Sequence, residues 1–470
     1  MIGDLKPYAA YRVAEGGWIG EIPSHWAVRR MKYVVREIDS RSTTGKEQLL
    51  RISQYTGVTQ RRRADGLEEP DTRADSLVGY KHVKPNDLVI NIMLAWNGSM
   101  GVSRHEGIAS PAYCVYRFGR DLHPWYFHNL LRSPAYKARI KASSTGVVES
   151  RLRLYSDDLG RIEAMLPPPD EQAAIVRFLD WADGRLERAI RAKRKVIALL
   201  NEQKQAIIHR AVTRGLDPTV PLKPSGITWL GDIPRHWEVR RAKQVCSAIV
   251  DCKNRTPALV DGGECVVVRT TNIRHARFNQ KGSYTTDRRN YEIWTQRGAP
   301  RVGDVFFTRE APVGEACLVP PIGNLCMGQR MMYFRPNTAV LDPEFVLHSI
   351  YGPVVRRYIE IEANGSTVGH LRLGQVSALP LLWCPIEDQR RIVAHVAIAS
   401  EPLSKAIARL ERENDLLREY RTRLVAAVVT GKLDVRVAAT RLSDEAPLDS
   451  IEDVADLGDE AETADDEVAV

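Results

Sequence analysis

The stretch 51–63 concentrates side chains that can recognise hydrogen-bonding patterns. Its sequence, RISQYTGVTQRRR, mixes arginine, glutamine and tyrosine around a single glycine. A guanidinium or a carboxamide can make two parallel hydrogen bonds, the geometry that distinguishes guanine and adenine edges in DNA. An exposed charged loop explains the same composition about equally well. We predict base contacts by Gln54, Tyr55, Gln60 and Arg61, phosphate contacts by Arg62 and Arg63, a further DNA contact by Arg51, and weaker phosphate contacts by Lys81 and Arg104.

A second set of such side chains lies in the other half of the chain. The strings KNRT (253–256) and RTTNIR (269–274) combine arginine with asparagine, and further arginines follow. Most protein–DNA hydrogen bonds go to phosphates, so most of these arginines would only position the protein. We predict base contacts by Asn272, Arg274 and Gln329, backbone contacts by Arg255 and Arg269, and additional DNA contacts by Lys253, Arg309 and Arg330.

The chain lacks the sequence motifs of enzymes that act on nucleic acid. It contains no Gly-x-x-x-x-Gly-Lys-Ser/Thr loop and no Asn/Asp-Pro-Pro-aromatic motif of adenine methyltransferases. A nuclease site built on Asp170 and Glu202 would need carboxylates that lie about 48 Å apart along one predicted helix. Seven cysteines form no Cys-x-x-Cys pair, which disfavours zinc and disulfides and favours a reducing cytoplasm. We therefore expect no catalytic residue, no metal ligand and no cofactor bound by this chain.

The distribution of charge separates a basic body from an acidic end. The net charge is +8, but twelve Asp and Glu lie in 444–470, and no Lys or Arg follows Arg441. Without these carboxylates the chain would carry +20, which favours a polyanionic partner or simply improves solubility. No run of 18 apolar residues predicts a membrane span, and the first residues lack the apolar core of a signal peptide. Composition predicts that the acidic end is disordered.

An internal repeat organises the whole chain. Residues 18–34 (WIGEIPSHWAVRRMKYV) recur as 229–245 (WLGDIPRHWEVRRAKQV), with eleven of 17 positions identical. Later anchors, such as Asp87 and Asp304, repeat at an offset of 217 instead of 211. The chain is therefore two copies of one unit of about 215 residues. The repeated tryptophans and histidines look like packing anchors and not like a metal or catalytic site.

Each copy consists of a mixed domain followed by a long helix. Strand-like runs such as YCVYRF and GDVFFTR alternate with glycine and proline, whereas Leu403, Leu410 and Leu417 recur every seven residues. Sustained heptads predict a coiled-coil helix, and we expect the two helices to pair antiparallel instead of each packing on its own domain. The predicted fold class is α+β, with two pseudo-symmetric domains and two long helices. The predicted boundaries are domain 1 at 1–170, a helix at 171–214, domain 2 at 215–387, a helix at 388–434 and a disordered tail at 435–470.

The chain resembles the specificity subunits of type I restriction-modification systems. The resemblance covers about residues 5–434 and rests on the repeated entry strings, on MLAWNGSMGVSRHEGIASPAY (93–113) and DVFFTREAPVGEACLV (304–319), and on PPPDEQAAIVRFLD (167–180) and CPIEDQRRIVAHV (384–396). It implies that each mixed domain is a target-recognition domain that reads one half of a bipartite DNA site, and that the helices hold the halves apart. Because the two domains differ in sequence, the site is expected to be asymmetric.

The same resemblance implies the partners. Two DNA methyltransferase (modification) subunits would use S-adenosylmethionine, and restriction/translocase subunits would use ATP and Mg²⁺, all in the cytoplasm. Helix residues outside the seam, namely Ile197, Leu199 and Ile208, are the candidates for binding these partners. Two alternatives are a self-contained metal-dependent nuclease and a helical adaptor that binds only proteins.

Overall fold

The computed structural model describes residues 5–14, 17–61, 74, 76–148, 151–363 and 369–442. In the first copy the elements are β1 (Tyr11–Val13), β2 (Glu21–Pro23), β3 (Ala27–Arg30), β4 (Val35–Ile38), β5 (Leu50–Ser53), β6 (Gly57–Gln60), β7 (Lys81–Val83), β8 (Leu88–Asn91), β9 (Met100–Val102), β10 (Gly107–Ala109), β11 (Tyr113–Phe118), α1 (Pro124–Leu131), α2 (Pro134–Ser143), α3 (Ser156–Arg161), β12 (Glu163–Leu166) and α4 (Pro169–Arg214).

In the second copy they are β13 (Leu222–Pro224), β14 (Asp232–Pro234), β15 (Glu238–Arg241), α5 (Ala242–Val245), β16 (Cys246–Asp251), β17 (Cys265–Val268), β18 (Ile273–Arg274), β19 (Arg277–Phe278), β20 (Tyr284–Thr286), α6 (Arg288–Trp294), β21 (Val305–Arg309), β22 (Val313–Leu318), β23 (Leu325–Met327), β24 (Met331–Pro336), α7 (Pro343–Ile350), α8 (Pro353–Ala363), α9 (Leu373–Ser377), β25 (Pro380–Trp383), α10 (Ile386–Val429) and α11 (Arg436–Thr440).

The described chain forms two compact units, and both long helices contribute to each. Unit 1 contains residues 1–193 and 412–470, and unit 2 contains residues 194–411. The α+β class predicted from the sequence is confirmed, since each unit combines antiparallel sheet with helices.

Each unit contains a four-stranded antiparallel sheet of the same topology. The strand order is β4-β11-β8-β9 in unit 1 and β16-β24-β21-β22 in unit 2. In both sheets an aspartate just before the strand that comes second along the chain accepts two hydrogen bonds from one arginine. Asp87 binds Arg117 before β8, and Asp304 binds Arg335 before β21, at 2.7–2.8 Å. These aspartates are almost fully buried, so a paired guanidinium is needed to offset their desolvation. The internal repeat is thus a repeat of tertiary structure.

The units differ beside this shared sheet. Unit 1 adds the hairpin β5–β6 and the strand pair β7–β10, whereas unit 2 adds a three-stranded sheet of order β20-β17-β23 and the small hairpin β18–β19. The difference lies between the repeated sequence anchors, where the two copies also diverge in sequence.

The long helices run antiparallel within each unit. In unit 1 Lys193 Nζ lies 2.5 Å from Glu413 Oε2, and Asp183 pairs with Arg421, so positions rise along α4 as they fall along α10. The predicted antiparallel pairing is confirmed, and the polar residues Lys193 and Glu413 are partners across the pair. In unit 2 the same direction follows from two contacts: Lys204 Nζ lies 3.0 Å from Ser404 Oγ, and further along α4 Val212 shares a core with Val396, earlier on α10.

Apolar residues of both helices enter the core of each unit. In unit 1 this core contains Ile175, Leu179, Ala182, Leu424 and Val428 from the helices. In unit 2 it contains Ile208, Ala211, Val212, Ile392 and Val396.

The heptad seam drifts away from the positions predicted from strict sevens. A strict period of seven places Val196 and Tyr420 in the seam, but they are 45% and 42% exposed, whereas Ile190 is buried and Ile197 half-buried. A straight α-helix has 3.6 residues per turn, so an apolar stripe with a strict period of seven rotates by about 20° per heptad. Towards the middle of α4, the seam therefore contains Ile190 and Ile197, one position further along the chain than a strict period of seven predicts.

The predicted end of the second long helix is wrong. The helix ends at Val429, not at 434, because Gly431 adopts a left-handed φ of +73° and the chain turns away from the helix axis there. The tail predicted from 435 is also corrected: Val435, Ala439 and Leu442 pack in the unit 1 core around α11. Residues 443–470 lie outside the described part.

Candidate nucleic-acid interface

The turn between β5 and β6 presents two of the predicted base-reading residues. Tyr55 is 61% exposed and Gln54 is half-buried at the same turn. Arg132, the residue that caps the C-terminus of α1, donates to the carbonyl oxygens of Ser53, Gln54 and Tyr55 at 2.8–3.3 Å. A single guanidinium thus satisfies three carbonyls of one turn and holds it against the helix.

The same guanidinium joins this turn to a second loop. Arg132 Nη1 also donates to the carbonyls of Gly98 and Met100, at 3.1 and 2.6 Å. Burial is the main cause that lowers the pKa of Arg132 to about 10, so the group remains charged at neutral pH. Five carbonyl acceptors compensate its desolvation.

Basic and aromatic side chains border these two loops. The Lys141 ammonium lies 5.4 Å from the Trp96 ring centroid, and the Lys137 side chain passes over Gly98. On the other side Arg104 lies 4.2 Å above Trp125, whose ring stacks on His128. Exposed cations beside aromatic rings suit a polyanion that also has flat apolar faces.

His128 is held in the neutral form beneath this surface. Its Nδ1 accepts a hydrogen bond from the Val102 amide at 3.1 Å, and its ring packs against Gly57 and Gly101. Burial first, and then the positive charges of Arg132 and Arg104, lower the pKa of His128 to about 3. It is therefore a packing residue and an acceptor rather than a phosphate ligand.

The remaining predicted residues of the first domain do not join this turn. Gln60 pairs with Leu50 at the far end of the β5–β6 hairpin, about 13 Å from the turn at 3.3 Å per residue, and Arg61 follows it. Arg51 is half-buried within β5, opposite Thr59. Arg62 and Arg63 lie outside the described residues.

Lys81 is corrected as a phosphate contact. Its side chain is only 7% exposed, and its Nζ lies 3.7 Å from Glu37 and 3.9 Å from Asp39. A lysine placed between two carboxylates is already neutralised. Arg104, by contrast, is exposed.

In unit 2 an aromatic and cationic cluster gathers several predicted residues. Lys253 and Arg255 both lie over the Trp294 ring, at 5.6 and 5.5 Å from its centroid. The indole N–H of Trp294 donates to the Arg255 carbonyl at 3.0 Å, which fixes the loop. Arg269 lies 5.9 Å over Tyr284.

The predicted Gln329 belongs to the same region. Its backbone N–H donates to Thr256 Oγ1 at 3.3 Å, and the backbone N–H of the neighbouring Gly328 donates to the carbonyl of Val268, the residue before Arg269, at 2.8 Å. Gln329 is exposed, as are Arg255 and Arg269. Tertiary folding therefore brings residues from three separate stretches of the sequence together.

Asn272 is corrected as a base contact. It is fully buried, its Oδ1 accepts from the Arg269 amide at 2.8 Å, and its Nδ2 donates to the Asn279 and Lys281 carbonyls. All its hydrogen-bonding capacity towards DNA is already used to connect two loops. Arg309 is likewise largely buried, where it pairs with Asp251 at 3.3 Å.

Two other predicted arginines are also engaged inside the chain. Arg330 pairs with Glu310 at 3.4 Å, although its side chain stays 44% exposed. The Arg274 guanidinium donates to the carbonyls of Thr270 and Ile273 at 2.8 Å, and the residue is exposed at the β18–β19 turn. Both can contact DNA with their remaining donors.

The structure adds functional candidates that sequence reasoning missed. Trp294, Lys137 and Lys141 border the two surfaces, and Arg132 and Tyr351 hold turns in place. Lys137 and Lys141 form an i, i+4 pair on α2, a spacing that is readable in the sequence. The roles of Arg132 and Tyr351 depend on contacts with residues more than 30 positions away, for which one sequence carries no signal.

The repeated tryptophans are mostly packing anchors, as predicted. Trp26 and Trp237 are each 1% exposed, and the Trp18 indole donates to Glu163 at 2.7 Å. Trp229 differs, since it is 46% exposed.

A buried carboxylate anchors the first of these segments. Glu171 accepts from Tyr8 Oη at 2.6 Å and from Trp26 Nε1 at 2.9 Å, and its second oxygen lies 2.8 Å from His25 Nε2. In unit 2 His236 itself accepts from Trp237, and Asp388 lies 3.3 Å from that histidine. The arrangement in unit 1 fastens the start of α4 to the repeated segment, whereas in unit 2 the Nε2 atom that accepts from Trp237 has no proton to donate to Asp388.

The predicted partner-binding residues separate into three cases. Leu199 is 55% exposed, Ile197 is half-buried, and Ile208 is 5% exposed in the unit 2 core. Ile208 is therefore corrected, because the drift of the apolar stripe turns it inward. In unit 1 a groove of about 520 Å³ contains the exposed Leu416 and Tyr420 on α10.

Within the part of the chain that the structure describes, no group of three or more His, Cys, Asp or Glu side chains could hold a metal ion. No helix among the described residues is both long and apolar enough to cross a membrane.

Comparison with known proteins gives a consistent picture. No family model matches the sequence. A protein of Methanocaldococcus jannaschii, described as the specificity subunit of the type I restriction enzyme MjaX, is 22% identical over 450 residues, which cover 89% of this chain and 96% of that protein. A chain from a structure of a type I restriction-modification system has the same fold, with a TM-score of 0.57, 17% identity and coverage of 88% of this chain and 99% of that one. The HsdS subunit of Thermoanaerobacter tengcongensis also matches, with 17% identity, coverage of 88% and 98%, and a TM-score of 0.39.

The sequence match with the Methanocaldococcus jannaschii protein and the fold match with the chain of TM-score 0.57 each extend along almost the whole length of those proteins. The repeat, the paired helices and the order of elements agree with the resemblance seen in the sequence. Over almost its whole length the chain is similar in sequence to a type I restriction enzyme specificity subunit, and it has the fold of a chain from a type I restriction-modification system.

Proposed function

We propose that this chain is the DNA-reading subunit of a type I restriction-modification complex and recognises a bipartite, asymmetric site, one part with each unit. The observation that carries the proposal is the repeat of one sheet in two units that carry different loops. Each unit exposes cations beside aromatic rings at those loops, as at Lys141 and Trp96 or Arg255 and Trp294.

The difference between the loops supports an asymmetric site. Unit 1 offers Tyr55 and Gln54 on a three-residue hairpin loop, whereas unit 2 offers Gln329 and Arg269 around a three-stranded sheet. Because different side chains form different patterns of donors and acceptors, the two units would read different bases.

In this proposal catalysis belongs to partner subunits. Two methyltransferase subunits would use S-adenosylmethionine, and restriction/translocase subunits would use ATP and Mg²⁺, in the cytoplasm where the chromosome lies. The seven cysteines are free thiols, which suits a reducing compartment. The exposed groove at Leu416 and Tyr420 in unit 1 and, separately, the exposed Leu199 in unit 2 provide apolar surface for these partners.

The experiment that tests the proposal is co-expression with the methyltransferase subunit of the same system, followed by genome-wide mapping of methylated adenines. Replacing 229–384 by the corresponding domain of a relative is expected to change one part of the methylated sequence only. The matched chimera, with 18–166 replaced, is expected to change the other part. A change of both parts by one chimera, or methylation that does not depend on this chain, would contradict the proposal.

The two alternatives predict different results with the purified chain. A metal-dependent nuclease would cleave DNA with Mg²⁺ alone, whereas we expect no cleavage. A protein-only adaptor would show no salt-dependent DNA binding, whereas neutralisation of phosphates makes binding weaken steeply as salt rises.

A further inference from the structure

The residue that caps α1 occupies the same place as the residue that caps α7. Both helices have eight residues, begin with proline, and end at a C-cap, which is Arg132 in unit 1 and Tyr351 in unit 2. Both helices pack beside the repeated four-stranded sheet. The two C-cap residues are therefore equivalent positions that differ in type.

Tyr351 holds a turn in unit 2 as Arg132 does in unit 1. The Tyr351 hydroxyl accepts from the Ala276 amide at 2.8 Å and lies 2.9 Å from Glu315 Oε2. The same carboxylate oxygen accepts from the His275 amide at 2.7 Å. Two successive amides of the β18–β19 turn are thus tied to one tyrosine–glutamate pair.

The turn that they hold is conformationally costly. His275 and Ala276 adopt φ of +49° and +63°, in the left-handed region that side chains other than glycine and asparagine rarely enter. Such a conformation persists only where surrounding contacts enforce it, and it is concentrated at functional sites. The turn exposes Arg274, His275 and Arg277.

We propose that Arg132 and Tyr351 are equivalent positioning residues, and that the turns they hold, 53–57 and 274–277, are the equivalent DNA-reading tips of the two units. This inference rests on the proposed function and deepens it, because it assigns one tip and one supporting residue to each part of the site. The Arg274 side chain is then the unit 2 counterpart of Tyr55.

The sharpest test is Tyr351→Phe, which removes one hydroxyl and leaves the ring in place. In the full complex with the methyltransferase subunit, we expect discrimination against single-base changes to fall roughly fivefold to tenfold, the effect of losing the one hydrogen bond that the hydroxyl makes directly to the turn, from the Ala276 amide. The loss should be confined to the part of the site that changes when 229–384 is replaced. The matched control is Tyr358→Phe, whose hydroxyl donates to the Gln375 carbonyl at 3.1 Å and does not touch the turn.

The reciprocal variant is Arg132→Lys, which keeps the charge but cannot reach five carbonyls. It should reduce discrimination only in the other part of the site, and Arg139→Lys in the same unit is its control. Melting temperature is measured for each complex, so that a general loss of stability is recognised. Equal losses in both parts, or unchanged discrimination in folded Tyr351→Phe, would overturn the inference. A wild-type complex without any sequence preference would instead overturn the proposed function.

Discussion

Replacing Glu171 by alanine should destabilise the protein much more than the equivalent change in the second copy. Glu171 is 5% exposed and is the acceptor for the Tyr8 hydroxyl and the Trp26 indole. Its loss leaves two buried donors without a partner, each costing about 1–3 kcal/mol, so we expect a decrease of about 2–6 kcal/mol in the free energy of unfolding. The equivalent Asp388 is one-third exposed, and its contacts with His236 and Arg391 are at the surface, so Asp388→Ala should cost at most about 1 kcal/mol.

The two variants can be compared directly by guanidinium chloride unfolding followed by tryptophan fluorescence. Glu171→Gln is the intermediate case, because its amide oxygen still accepts while the charge is lost, and about 1 kcal/mol is expected. The physical reason for the contrast is that Trp237 donates to a histidine, whereas Trp26 donates to the carboxylate itself. If Glu171→Ala and Asp388→Ala cost the same free energy, the carboxylate is not the anchor of the first unit.

Three further outcomes are expected. Burial lowers the pKa of His128 to about 3 and that of His348 to about 4, below the value near 6.5 in the unfolded chain. Because the unfolded chain therefore binds more protons in acid, the free energy of unfolding should fall by about 1 kcal/mol per histidine between pH 6.5 and 5.5. Denaturant titration at each pH measures this decrease. A flat pH profile would contradict this assignment. Deleting 443–470 removes twelve carboxylates and should strengthen non-specific DNA binding at low salt, with the gain vanishing at high salt in a gel-shift series; an unchanged affinity would show that the acidic segment only aids solubility. Tyr55→Ala should weaken binding to specific DNA by about tenfold if the exposed ring stacks on a base, and equal affinity of the variant would exclude that contact.

The repeated architecture was predictable because its signals are local or periodic. The strand-like runs YCVYRF and GDVFFTR form β11 and β21. An alternating apolar pattern favours a strand with one buried face, and a continuous apolar run favours a strand with two, and both patterns are visible in the local sequence. The heptads predicted two paired helices, but the exact seam depended on a helical period that is not 3.5. Val196 therefore faces solvent, and Ile208, expected on the surface, is buried.

The candidate site was predictable only in part. Tyr55, Arg255 and Gln329 are exposed on loops, because arginine, glutamine and tyrosine are rarely buried without partners. Asn272 and Lys81 have equally suitable chemistry, yet they connect loops inside their units, where each finds partners distant in sequence. The side-chain type is the same in both situations, so residue type alone could not separate them.

The sequence by itself determined that this protein has two copies of one unit, a mixed domain and a long helix in each, and a basic body with an acidic end. Each of these properties is a sum or a period along the chain, which needs no knowledge of distant contacts. Only the tertiary structure decided which polar side chains face outward and which residues shape the turns that present them. Arg132 and Tyr351 act through hydrogen bonds to backbone amides and carbonyls that folding alone brings within 3.5 Å. Because backbone groups are alike at nearly every residue, the residue types in a sequence do not show which of them will be a partner.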